Sequence, residues 1–145
     1  MSKTKKNSAP DIRLEEVTYA NVDKILKLRV RKKQDSYVAK NRDSLIEAYL
    51  TLAARRAVYP FGIYRGNKPV GFLMIGYDWK IDDEEYETPE VAKGNYMIWR
   101  FMVDRKQQKK GYGRAALQLA LDFVRTFPAG AAESLAQHSK QKSGD

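Results

Sequence analysis

Apolar and polar positions alternate from Asp11 to Val17, with Ile12, Leu14 and Val17 set against Arg13, Glu15 and Glu16. A period of two predicts a half-exposed first strand. From Tyr19 to Val30 the period lengthens: Val22, Ile25, Leu26 and Leu28 to Val30 recur at helical spacing, and Asn21 or Thr18 stands where a cap is expected. The basic run Arg29 to Lys33 then falls at the end of this helix, where it suits the helix dipole. Gln34 to Val38 breaks the pattern and reads as a loop. A second helix opens at Asp43 or Ser44, with Leu45, Ile46, Tyr49, Leu50, Leu52 and Ala53 as its apolar side. Val58 to Tyr64 and Val70 to Trp79 are β-rich, and the turn residues Gly66 to Pro69 between them predict an antiparallel hairpin. Asp82 to Gly94 is polar and loop-like; Tyr96 to Val103 is an apolar strand, and Arg114 to Phe127 is a clean helical segment. Strands with helices interspersed predict an α/β domain, a mixed and mostly antiparallel sheet flanked by helices on both faces. There are no internal repeats.

The last strand and the last helix are joined by Gln108-Lys109-Lys110-Gly111-Tyr112-Gly113. A strand, a glycine loop and a helix start aim several backbone N–H groups at one point, and the helix's unpaired N–H groups add partial positive charge there. Such a point binds a phosphate or diphosphate. The glycines let the backbone adopt unusual φ values and let the phosphate approach; Lys109, Lys110 and Arg114 add charge around it. A plain strand-to-helix turn has the same outline, so the loop alone decides nothing. It is not a Walker A loop, since no Lys-Ser/Thr follows the last glycine, and it lacks the third glycine and distal acid of a dinucleotide fingerprint.

The loop and its flanks resemble the GNAT N-acetyltransferase family, whose acetyl-CoA diphosphate signature is Gln/Arg-x-x-Gly-x-Gly/Ala. Ile98-Trp99-Arg100-Phe101-Met102-Val103-Asp104 is similar to that family's fourth strand. Gln34-Asp35-Ser36-Tyr37-Val38 and Val70-Gly71-Phe72-Leu73-Met74 are similar to bacterial spermine/spermidine (diamine) acetyltransferases in particular. The resemblance covers residues 11–128. It implies an acyl-CoA N-acyltransferase fold for 11–128, after a disordered lead-in at 1–10. It also implies a further strand, helix and strand pair after Pro128, for which 129–145 offers no apolar run. The expectation is therefore a C-terminally incomplete fold with an atypical, disordered tail.

The resemblance also assigns a site. Backbone groups of Phe101, Met102 and Val103 would pair with the pantetheine arm of acetyl-CoA, and Gln108, Lys109, Lys110, Gly111, Tyr112, Gly113 and Arg114 would hold its diphosphate. An ordinary core strand at 101–103 is compatible with this, because pairing uses backbone while side chains pack.

Charge sharpens the substrate class. The chain carries +9, yet Asp78 to Glu90 holds seven acids against one lysine, so −6 locally and +15 elsewhere. An acidic patch on a basic body suggests two ligands of opposite sign. Polyamines carry spaced ammonium groups, and Asp82, Asp83, Glu84, Glu85 and Glu87 supply opposite charge just before the fourth strand; Trp79 and Tyr86 add cation–π faces, and Tyr37 lines the amine channel. A solvated acidic loop is the alternative. Arg100 is expected to pair with a carboxylate rather than with a cation.

Chemistry beyond binding is not assigned. Acetyl transfer needs a neutral amine, although a free alkylammonium has a pKa near ~10. It also needs a donor for the oxyanion and a proton for the departing thiolate. The family's general-acid tyrosine falls in the missing region, and the carboxylate that polyamine enzymes place two residues before Phe101 is here Trp99. Asp78, Glu85, Glu87, Tyr37 and Tyr96 remain as candidate bases, with the catalytic residue unknown.

The remaining composition excludes rather than assigns. With 145 residues the chain makes one domain. It has no cysteine and one histidine, His138, so disulfides, thiolate metal sites and a Ser-His-Asp triad are excluded, and no metal is expected. No apolar run spans a membrane, and the polar, lysine-bearing Met1 to Pro10 is no secretory signal, so a cytoplasmic address is expected. The expected partner is a small-molecule amine, with neither nucleic acid nor membrane; a homodimer stays open. Two other readings compete with an amine N-acetyltransferase: a catalytically impaired CoA-binding remnant of one, and a basic nucleic-acid-binding protein. Against the last, aromatics are not interleaved with the basic runs.

Overall fold

The computed structural model describes residues 11–35, 38–78, 87, 90 and 94–125. The expected lead-in at 1–10, Tyr37, the acidic Asp82 to Glu85, and the tail 129–145 lie outside the described residues.

Among the described residues, four strands form one sheet in the order β1-β2-β3-β4: β1 Ile12–Glu16, β2 Val58–Arg65, β3 Lys68–Tyr77 and β4 Tyr96–Val103. Every pairing is antiparallel. β4 is an edge, so its outer backbone groups have no strand partner among the described residues. The β2–β3 hairpin closes tighter than expected. Gly66 takes a left-handed φ of 62°, and Lys68 and Pro69 already belong to β3.

The helices are α1 Val22–Leu26, α2 Asn41–Ala53 and α3 Tyr112–Arg125, with a short 3₁₀ turn at Lys32–Gln34. α1 is much shorter than its apolar spacing predicts. Its end tightens into i→i−3 bonds from Lys27 N to Lys24 O and Leu28 N to Ile25 O. Beyond them Arg29 is claimed by tertiary bonds: its N–H donates to Asp104 Oδ1 at 2.9 Å, and its carbonyl accepts from Arg105 N at 2.7 Å. The basic run Arg29 to Lys33 therefore lies past the helix and not in its last turn. Arg29 still serves that helix, since its guanidinium donates to the Leu26 carbonyl.

The sheet packs helices on both faces. On one, Ala116 and Ala120 of α3 sit on Ile12, Phe61, Ile63, Leu73 and Ile75. The alanines let α3 lie close, and Tyr59, Phe61 and Phe123 fill the space beside them edge to face. On the other face, Ile25 of α1 and Ala48 of α2 pack on Val58, Phe72, Met74 and Met102.

α2 corrects the expected apolar side. Its buried residues are Asn41, Ser44 and Ala48, whereas Ile46, Tyr49 and Leu50 are 52%, 69% and 58% exposed. The helix begins at Asn41 because that side chain is useful inside: its Nδ2 donates to Ile25 O at 2.9 Å and approaches Met102 Sδ. No described helix is long and apolar enough to cross a membrane.

Candidate functional site

β4 runs directly into the glycine loop, and Asp104 anchors the join. Its N–H donates to Val70 O, its Oδ1 accepts from Arg29 N and its Oδ2 from Lys106 N. The loop next alternates in backbone sign. Lys109 and Gly111 have φ of 65° and 82°, while Lys110 between them does not enter the left-handed region. Such alternation turns successive N–H groups toward one concavity. α3 begins at Tyr112, two residues earlier than its apolar pattern predicts, and takes Gly113 into its first turn. A Cβ on Gly113 would stand 3.1 Å from Phe101 Cζ and 3.6 Å from Val103 Cγ2. Glycine therefore lets the helix start rest against β4. Ala115 N is bonded to Gly111 O, but the N–H groups of Tyr112, Gly113 and Arg114 meet no acceptor among the described residues.

A cleft of about 320 Å³ is lined by Tyr112 and Gly113 of this helix start. Eight of the ten residues assigned to the cofactor line it: Phe101, Met102, Val103, Gln108, Lys109, Gly111, Tyr112 and Gly113. The other two stand outside. Lys110 Nζ donates to Gln107 Oε1 and lies 6.0 Å over the Tyr112 ring, while Arg114 is exposed on the first turn of α3. Gln108 enters differently from its assigned role. Its amide Nε2 donates to Val103 O at 2.9 Å and Gln34 Oε1 at 3.0 Å, so the side chain ties the loop inward and leaves backbone to face the cleft. Val30, Gln34, Val38 and Gln107 complete the lining. Sequence reasoning did not place them there. The one signal was the run from Gln34 to Val38, recognised as similar text without a role.

Two further clefts continue along β4. One of about 360 Å³ is lined by Val38, Ala39, Trp99, Arg100 and Phe101, sharing Val38 and Phe101 with the first. The next, of about 190 Å³, holds Glu47, Thr51, Arg56, Tyr77 and Trp99. Arg100 meets the expectation of a carboxylate partner: its Nη2 stands 2.6 Å from Glu47 Oε2 of α2. Glu47 carried no role in the sequence reading.

The candidate bases fare unevenly. Glu85 and Tyr37 lie outside the described residues, and Glu87 is exposed. Asp78 is buried with a φ of 52°. Its Oδ1 accepts from Gly94 N at 2.8 Å, its N–H donates to Asn95 O, and its carbonyl accepts from Arg56. This carboxylate joins the two ends of the β3–β4 connection and is a structural latch. The Tyr96 ring lies 4.9 Å from that of Tyr77, tilted by 58°, and burial, reinforced by Tyr59 and Tyr77, pushes its phenol far above the usual tyrosine range. A phenol that keeps its proton is no base at neutral pH. Burial raises the Tyr59 phenol as well.

Compared with known proteins, residues 22–142 match the profile of the acetyltransferase (GNAT) family. The match runs past residue 128, where the sequence resemblance ends. A crystal structure of a GNAT family acetyltransferase from Staphylococcus aureus is similar at 17% identity, covering 77% of this chain and 76% of that one with a TM-score of 0.48. No curated protein matches.

Proposed function

The chain belongs to the GNAT acetyltransferase family, and from that premise we propose that it transfers the acetyl group of acetyl-CoA to a primary amine, with polyamines as the acceptor class. The observation that carries the reading is the helix start at Tyr112 and Gly113, which lines the cleft beside β4 and whose N–H groups meet no acceptor among the described residues. Partial positive charge and free donors at this point suit a diphosphate. The outer edge of β4 from Phe101 to Val103 has no strand partner among the described residues, and apart from the Val103 carbonyl, which Gln108 occupies, it suits an extended amide-bearing arm that bonds as another strand would. On this reading the thioester lies near Trp99 to Phe101, in the cleft adjoining the first.

In the reaction the neutral amine attacks the thioester carbon. The C–N bond forms, the C–S bond breaks, and the coenzyme leaves as a thiolate that takes up a proton. Positioning alone contributes several kcal/mol to such a step. Polyamine preference is supported by the charge pattern, since the acidic residues 82–87 lie on the connection that leads into β4.

Turnover tests this reading. Acetyl-CoA consumption is expected with spermine and spermidine, more weakly with a simple monoamine, and not with an acidic acceptor. Reversing Asp82, Asp83 and Glu84 to lysine should raise KM for spermine far more than for the monoamine. Turnover with no amine would refute the acetyltransferase reading, and equal KM changes would refute the polyamine preference.

A further inference from the structure

β4 does not alternate cleanly. In its pairing with β3, Met74 faces Arg100 and the next residue, Ile75, faces Ile98, so Trp99 is an extra residue: a β-bulge. The packing shows the consequence. Phe101 and Val103 face α3, and so does Tyr96. Met97 and Trp99 face the other side, but so do the following residues Arg100 and Met102. Trp99 and Arg100, adjacent in sequence, therefore stand on one face, and the peptide groups around them are turned from the regular ladder.

A bulge is a weak point unless something holds it. Here the Arg100 guanidinium spans three groups. Its Nη1 donates to the carbonyl of Trp99, the bulged residue, at 3.2 Å. Its Nη2 donates to Glu47 Oε2 on α2 at 2.6 Å. Its carbon lies 5.5 Å over the Trp99 ring. The planar fork of arginine suits this double task, one end on a backbone oxygen and the other on a carboxylate. Arg100 is the better covered partner, with its side chain 25% exposed against 43% for Glu47. The ion pairs Arg13–Glu15 and Arg42–Asp43 join near neighbours on the surface, whereas this pair joins the sheet to a helix across 53 positions.

The location makes the clamp functional. Trp99, Arg100 and Phe101 line the cleft that adjoins the cofactor cleft, and Trp99 continues into the cleft of Glu47. We infer that Glu47 and Arg100 form a positioning pair that fixes the β4 bulge at Trp99, and with it the peptide groups where thioester and amine meet. On this inference the pair acts through the backbone of Trp99 rather than on a reactant. The inference rests on the acetyltransferase reading of the same site.

Its test is steady-state kinetics on the full chain with acetyl-CoA and spermine, at a temperature well below the melting point of every variant. Backbone amide exchange at residues 99–101 is followed in parallel. In Glu47→Ala and Arg100→Ala, kcat should fall on the order of 30- to 100-fold, the penalty of slight misplacement, while KM for acetyl-CoA stays put. The double variant should be no worse than either single one, because both remove the same clamp. Arg100→Lys should resemble Arg100→Ala, since one ammonium cannot replace the fork, whereas Glu47→Gln, which keeps an acceptor, should retain most of kcat. Exchange at residues 99–101 should quicken in the alanine variants, and Arg42→Ala should change neither readout. A raised KM for the amine with kcat preserved would overturn the inference by making Glu47 a substrate contact. Unchanged kcat, or unchanged amide exchange, would overturn it outright. If the wild-type chain acetylates no amine, the acetyltransferase reading fails instead, and amide exchange still judges whether the pair holds the bulge.

Discussion

The two ends of β4 are built on opposite plans. At the Val103 end side chains withdraw: glycine occupies 111 and 113, and Gln108 folds its amide inward onto Val103 and Gln34. Backbone N–H groups are left facing a cleft. At the Tyr96 end side chains crowd in and satisfy the backbone. Asp78 accepts from Gly94, Arg56 donates to the Asp78 carbonyl, and the Tyr96 ring packs at a tilt against Tyr77. Donors without a partner are available to a ligand, while satisfied ones hold a fold together. The contrast supports the proposed ligand binding at the first end and gives the second an architectural role.

The sharpest way to break the contrast is to add volume where side chains are absent. Gly113→Val puts a branched side chain where a bare Cβ already meets Phe101 at 3.1 Å, and should cost about 2–3 kcal/mol of stability. Urea unfolding measures that loss, and acetyl-CoA binding should vanish with it. Gly111→Asp is the more selective change. It places a carboxylate beside the diphosphate position and a side chain at a φ of 82°, so the dissociation constant for acetyl-CoA should rise at least about tenfold. Calorimetric titration would show it; unchanged affinity would remove the loop from the site.

At the other end the signature reverses. Asp78→Ala strips Gly94 N–H of its acceptor and should lower stability by about 1–3 kcal/mol, read as a fall in Tm, with acetyl-CoA affinity intact. A matching loss of affinity would mean that the ends are not separable. The smallest effect is with pH. Tyr96 has its folded pKa raised above the ordinary 10.0, so below that pH both states keep the proton and nothing changes. Above it the unfolded chain ionises first, and stability falls as pH rises. Tyr96→Phe should flatten this alkaline decline in a Tm series; an unaltered slope would assign it to other groups.

The same contrast explains what was legible beforehand. β4 and the glycine loop stood out because an apolar run, two glycines and an amphipathic helix are local signals, and the hairpin was legible for the same reason. α2 misled because its wide apolar content named no single face; tertiary partners chose Asn41, Ser44 and Ala48 for burial, and only Ile25 and Met102 reveal why Asn41 turns inward. α1 was overextended because the Asp104 bonds that capture Arg29 join positions 75 residues apart. Nor does periodicity mark the bulge at Trp99 or the pairing of Arg100 with Glu47. The loop was readable as a candidate phosphate site, whereas the inward turn of Gln108 was not.

If the start of α3 receives the diphosphate of acetyl-CoA, the backbone amides there must sense it. Amide chemical shifts of the isotope-labelled chain, followed during titration with acetyl-CoA, measure this. Saturable shifts are expected, centred on Lys109 to Arg114, extending along Phe101 to Val103 and leaving Asp78 and Gly94 still. Shifts centred elsewhere, or none at saturating acetyl-CoA, would contradict it.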